Sequence, residues 1–178
     1  MVKLRDIIAI VESSKDKLAI RYEKTVFGSI WGKLKHYDAL ERIRKVHKCS
    51  YDTAVMIAAC SFGKYQIMGF NLYGVLKLEL HFVNFLLDEE KQEKAFDDFI
   101  RLIGIDESTI IEEIEEALEH CDGSGKAFTE KPAIQKFIAN YNGAKVGSKD
   151  FYAYAYKMLT AYQKLVDNEK KKQYNEHG

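Results

Sequence analysis

The sequence has no surplus of either charge: 27 lysines and arginines offset 27 aspartates and glutamates over 178 residues. General nucleic-acid binding through phosphates needs an excess of positive charge, so no electrostatic case for it exists beyond a local patch. Long apolar runs are also missing. The run from Ile7 to Val11 ends at Glu12 and is too short for the core of a secretory signal. No stretch approaches the roughly 20 apolar residues of a membrane span. The expectation is a soluble chain made in the cytoplasm without a signal peptide. Cysteine is scarce and odd in number: Cys49, Cys60 and Cys121 lack metal-ligand spacing and are expected to be reduced, mostly buried thiols. His36, His47, His81, His120 and His177 are equally scattered. His81 lies in an apolar stretch, where a satisfied core or groove residue is expected. No metal and no cofactor is implied.

Proline is almost absent, with Pro132 alone, while helix-period apolar patterns run through most of the chain. This predicts a mainly α fold. Leu4, Ile7, Ile8 and Val11 form the stripe of a first helix. Leu18, Ile20 and Tyr22 then alternate with Ala19, Arg21 and Glu23, which predicts one short strand after that helix. Ser50 is placed to cap a helix through Ala59. Residues 75–87 are apolar and expected to be buried. Residues 89–103 read as an amphipathic helix stopped by Gly104, and Asp106 caps another that runs to about Cys121 and is stopped by Gly123. Pro132 opens a helix ending at Gly143, and a last helix starts near Ser148. Residues 1–168 read as one domain, with a lysine-rich tail, 169–178, expected to fray. Asp122-Gly123-Ser124-Gly125 superficially suits a calcium loop, but His120 and Lys131 would then occupy positions that need carboxylates. It reads as a turn.

Three separated blocks carry candidate chemistry. In Val11-Glu12-Ser13-Ser14, Glu12 falls in the last turn of a helix. The negative end of the helix dipole, together with burial, favours the protonated carboxyl that a general acid needs. In Ser61 to Asn71, two glycines bracket a short turn; Gly63 permits close backbone approach and Gln66 can bond sugar hydroxyls or the acid itself. In Ala139-Asn140-Tyr141-Asn142-Gly143, Tyr141 can donate to a buried carboxylate and Asn142 can bond an acetamido group. Each block also has an ordinary reading: an exposed glutamate at a helix end, a turn with a satisfied glutamine, and a helix C-cap. The aromatics that follow, Phe151, Tyr152, Tyr154, Tyr156 and Tyr162, suit a core at helical spacing.

Taken together and in order, these blocks resemble the lysozyme superfamily, including goose-type lysozymes and soluble lytic transglycosylases. The resemblance is nearest to the N-acetylmuramidase domain of phage endolysins. It rests on Val11-Glu12-Ser13, Arg21-Tyr22-Glu23, Ser61-Phe62-Gly63 through Gln66-Ile67-Met68-Gly69, and Tyr141-Asn142-Gly143, and covers roughly residues 4 to 165. Phe62 stands where the family often has tryptophan, and the Gly-Phe and Gly-Arg-Pro elements between Glu12 and the strand are absent. The resemblance implies a lysozyme-like helical fold and cleavage of the β-1,4 bond between N-acetylmuramic acid and N-acetylglucosamine in peptidoglycan glycan strands. Glu12 matches the catalytic glutamate. Glu23 matches a second acidic position, as base, nucleophile or stabiliser. Gln66, Tyr141 and Asn142 would orient the acid and hold the sugar, with Tyr65 and Phe70 lining the cleft. Carboxyl groups about 5–5.5 Å apart would retain the anomeric configuration, and about 6.5–9.5 Å apart would invert it. Lytic transglycosylation, and a non-catalytic wall-binding module, are the alternatives. The implied enzyme is a monomer that reaches the wall after release or delivery, with a holin, a secretion machine or an immunity protein as the partners such routes use.

Overall fold

The computed structural model describes residues 2–31, 36–119 and 126–177. It is mainly helical, with a three-stranded antiparallel sheet following the first helix, in agreement with the fold class that the apolar periods predict. The chain divides into two units, Glu12–Phe99 and a second made of Met1–Val11 with Ile100–Gly178.

The second unit begins with α1 (Leu4–Ser13) as far as Val11, and Leu4, Ile7 and Ile8 of that helix are fully buried. That is the stripe expected when apolar residues recur at helical spacing. Here α7 (Glu107–Glu119), α8 (Pro132–Tyr141) and α9 (Lys149–His177) pack on one another through Ile110, Ile114, Phe137, Ile138 and Phe151. A 3₁₀ turn, Lys126–Glu130, contributes Phe128 to this core. The N-terminus of α8 lacks a side-chain cap of its own. The buried Glu113 supplies one from α7, accepting from the amides of Ala133 (3.1 Å) and Ile134 (2.9 Å). Among the aromatics of α9, Phe151, Tyr154 and Tyr162 are buried, whereas Tyr156 is half exposed. The helix continues through residues 169–177. Cys121, His120, Gly123 and the sequence from Asp122 to Gly125 lie outside the described residues.

In the first unit, β1 (Ile20–Tyr22) pairs with β2 (Cys60–Phe62), and β2 with β3 (Ile67–Met68). Between β1 and β2 come α2 (Lys24–Ile30), α3 (Tyr37–His47) and α4 (Tyr51–Ala58). Ser50 caps α4 by accepting from the Thr53 amide, as its position predicts. After β3 the chain makes a π-helical turn, Asn71–Val75, then α5 (Phe82–Leu87) and α6 (Glu89–Leu102), most of which belongs to this unit. The turn is held close to α4 by Gly69, where an added Cβ would stand 2.2 Å from the Ile57 carbonyl oxygen.

β1 is the short strand that the alternation predicts, an edge strand with Ile20 and Tyr22 about half exposed. Two expectations need correction here. Residues 75–87 are not a buried run: Phe85 and Leu86 are buried, but Val75, Val83 and Leu87 are exposed, since so short a helix turns only one face inward. Cys49 and Cys60 are free, as expected, but only partly buried. Burial pushes the Cys60 thiol up, and the charge of Glu23 adds to that, which makes it a poor nucleophile.

Candidate active site

Glu12 sits in the last turn of α1, and its side chain is only 8% exposed. The next residue fastens this helix end to the sheet: Ser13 Oγ donates to the Lys64 carbonyl oxygen at 2.7 Å. Lys64 lies in the turn between β2 and β3, so the glutamate–serine block and the glycine–glutamine block meet there.

The turn is shaped by backbone and amide chemistry together. Gly63 has φ +75° and Gln66 φ +51°, both in the left-handed region, which costs a glutamine more than a glycine. The Gln66 side chain offsets that cost. Its Oε1 accepts from Ser61 Oγ (2.8 Å), and its Nε2 donates to the carbonyls of Gly63 (2.9 Å) and Ala19 (3.1 Å). The amide expected to bond sugar or acid is therefore buried and engaged within the hairpin. Tyr65, expected to line a cleft, is 1% exposed and stacks on Phe96 at 4.6 Å between ring centroids. Both build the platform rather than its open surface, because the tight turn directs residues 65 and 66 inward.

Beneath the turn lies Gln92 of α6, 1% exposed. Its Oε1 accepts from the Lys64 amide (2.7 Å), and its Nε2 donates to the carbonyls of Lys17 (3.1 Å) and Leu86 (2.9 Å). A Cβ at position 63 would collide with Gln92 Oε1 at 2.3 Å, which explains the glycine. A polar residue inside an amphipathic helix gives no signal of such a role, and sequence reasoning missed it.

Above the turn, Arg21 on β1 faces two carboxylates. Its Nε donates to Glu23 Oε1, and its Nη2 lies 4.0 Å from Glu12 Oε2. Glu12 and Glu23, proposed from sequence as a pair, are thus brought to one guanidinium. Arginine's planar fork suits this sharing. Nothing in the spacing of the three residues pointed to Arg21 as the link. Glu23 also stands at the N-terminus of α2, without a side-chain cap bond.

Phe70 is half-buried against His36, 4.8 Å between ring centroids, and lines a pocket of about 420 Å³ with Asp38, Asn71 and Lys77. Neither Glu12 nor Glu23 lines it. Tyr141 and Asn142 belong to the other unit. Tyr141 stacks on Phe137 at 5.0 Å, and Asn142 lines a recess of about 340 Å³ with Asp150, Tyr154 and Lys157. His81, expected to be a satisfied core or groove residue, is partly buried against His47 and Phe82 and caps α5, its Nδ1 accepting from the Val83 amide. Among the described residues no cluster of histidine, cysteine and carboxylate side chains could hold a metal ion, and no helix is long and apolar enough to cross a membrane.

The chain matches the model of the N-acetylmuramidase (Muramidase) family over residues 11–166. It is 32% identical over 146 residues to the endolysin of Enterobacteria phage PRD1, an alignment covering 80% of this chain and 87% of that protein. No solved structure gives a significant match.

Proposed function

Because the chain belongs to the N-acetylmuramidase family, a family of peptidoglycan-cleaving enzymes, we propose that it hydrolyses the β-1,4 bond between N-acetylmuramic acid and N-acetylglucosamine, with Glu12 as the general acid. The observation that carries this reading is the near-buried Glu12 carboxyl at the end of α1, fixed beside the β2–β3 turn and within reach of Arg21.

Glycoside cleavage needs a proton on the leaving oxygen as the C–O bond breaks, and a negative group on the other side of the sugar as positive charge develops at the anomeric carbon. Glu12 delivers the proton. Glu23, held by Arg21, supplies the second carboxylate, activating water or stabilising the oxocarbenium-like transition state. Arg21 keeps the two carboxyl groups together and offsets their repulsion at close range. The resemblance of the Tyr141-Asn142-Gly143 motif assigns sugar contacts to a phenol and an amide there, while Gln66 and Tyr65 act by keeping the turn rigid.

The test is clearing of peptidoglycan suspensions by wild type beside Glu12→Gln, a near-isosteric change that removes the donor. Loss of about two or more orders of magnitude in rate is expected. Equal clearing by both proteins would sink the assignment.

One observation favours a second reading. The bond from Arg21 occupies Glu23 Oε1, and a carboxylate so engaged has less freedom to position a water, which suits lytic transglycosylation, where the sugar's own hydroxyl closes the ring. Mass spectrometry of the products separates the two, because only transglycosylation leaves 1,6-anhydro ends. Reducing ends are the expected result.

A further inference from the structure

From the aromatic row on β1 and α2 we infer a sugar-binding subsite that accompanies the reaction: Tyr22, Phe27 and Trp31 stack against pyranose rings of the glycan strand at a distance from the bond being cut. The inference rests on the muramidase reading, since that reading supplies the polymer.

The three rings form a continuous series. Centroids of Tyr22 and Phe27 are 5.9 Å apart, and those of Phe27 and Trp31 are 5.5 Å apart with planes inclined by 30°. Trp31, the residue that ends α2, donates its amide to the Phe27 carbonyl oxygen at 2.9 Å, one turn back, which keeps the two rings on the same side. The helix is anchored on another face by Ile30, which is fully buried. Tyr22 and Trp31 are each 48% exposed. Rings that touch in series make a contiguous aromatic surface, which, unlike a single exposed apolar side chain, marks a binding face. Gly28, between the outer two rings of the helix, has open space where a Cβ would be, so a ligand can approach.

The chemistry around the row selects its occupant. Exposed polar residues of α2 accompany it: Lys24, Thr25 and Ser29. An apolar strip one ring wide between hydroxyl and amine donors fits a flat saccharide, whose C–H faces meet aromatic rings while its hydroxyls bond at the edges. A protein interface would need a broader apolar patch. Continuity with the candidate site is direct, because Tyr22 ends β1 between Arg21 on the strand and the extended Glu23 that opens α2. Alternation along the strand turns Tyr22 to the opposite side from those two, so the row flanks the carboxylates instead of enclosing them. It therefore holds the strand rather than the scissile bond, and favours long glycans over short ones.

Trp31 is the chain's one tryptophan, so fluorescence excited at the red edge, where tyrosine does not absorb, reports on this row. The full chain carrying Glu12→Gln is titrated with purified glycan strands stripped of their stem peptides. Saturable quenching and a blue shift of Trp31 emission are expected. Trp31→Ala is expected to weaken pelleting with peptidoglycan by about three- to tenfold, and to raise KM on long strands more than on short ones, with Trp31→Phe restoring most of both. Unchanged Trp31 emission at glycan concentrations that saturate pelleting would overturn the subsite while leaving the muramidase reading intact. A blue shift that grows with protein concentration in the absence of glycan, matched by dimer in sedimentation, would overturn it in favour of self-association. Failure of the wild type to clear peptidoglycan, with a normal Trp31 titration, would instead sink the muramidase reading and leave a glycan-binding surface.

Discussion

The guanidinium of Arg21 is shared between two carboxylates, its Nε on Glu23 Oε1 and its Nη2 4.0 Å from Glu12 Oε2. The arginine side chain is itself 56% exposed, so its removal should alter the chemistry far more than the stability. Arg21→Ala is expected to reduce wall-clearing rate about tenfold or more with the melting temperature nearly unchanged. Arg21→Lys should recover little, because an ammonium cannot reproduce the fork. Full activity in Arg21→Ala would show that the two carboxylates act independently of it.

Acid should weaken the fold through His47. Burial pushes this imidazole down to about 4, and the neighbouring His81 ring, 4.2 Å away between centroids, adds to that. Tyr73 donates its hydroxyl proton to the Leu80 carbonyl oxygen at 3.0 Å, so His47 Nε2 donates to Tyr73 at 2.8 Å, and the buried Nδ1 has no partner. The unfolded chain takes up this proton near pH 6.5 and the folded chain near 4. The contribution is therefore fully present above about pH 6.5 and is lost as pH falls toward about 4. Urea midpoints measured across that window should fall with pH, and His47→Gln should flatten the slope.

Gln92 holds three chain segments by one amide, so its loss should be severe. Gln92→Leu removes the acceptor of the Lys64 amide and the donor to the Lys17 and Leu86 carbonyls, and about 2–4 kcal/mol of unfolding free energy should disappear. Chemical denaturation measures it directly. A loss below about 0.5 kcal/mol would mean that water replaces the amide at no cost.

Glu113 tests the other unit in the same way. Glu113→Ala removes the acceptor for two amides at the start of α8, and about 2 kcal/mol should be lost. Glu113→Gln keeps one acceptor oxygen and should lose roughly half as much. Equal effects of the two changes would show that packing of the side-chain stem, not capping, is what matters.

Helices were legible in the sequence where apolar residues recur over several turns and a cap is at hand, as in α1, α4 and α6. The segment after β3 was not. Its apolar residues have no period long enough to separate a buried run from a π-turn followed by a two-turn helix with one inward face. At the site, Glu12 and Glu23 could be named from their motifs, whereas Arg21 and Gln92 could not. Their roles depend on partners 9 and 28 residues distant along the chain, and neither residue type is unusual on a strand or an amphipathic helix. Gln66 illustrates the converse. A glutamine between glycines reads equally well as a ligand contact or as a turn brace, and only the positions of Ser61 and Ala19 decide it.

Ser13 grips position 64 by its main-chain oxygen rather than by its side chain. Any amino acid at that position offers the same oxygen, so the link is indifferent to point replacement there. It is sensitive instead to the number of residues in the hairpin. One residue more or fewer between β2 and β3 would carry the carbonyl away from the serine and leave the acid's helix end untethered. Divergence of such a protein is therefore free in spelling and restricted in length at this turn.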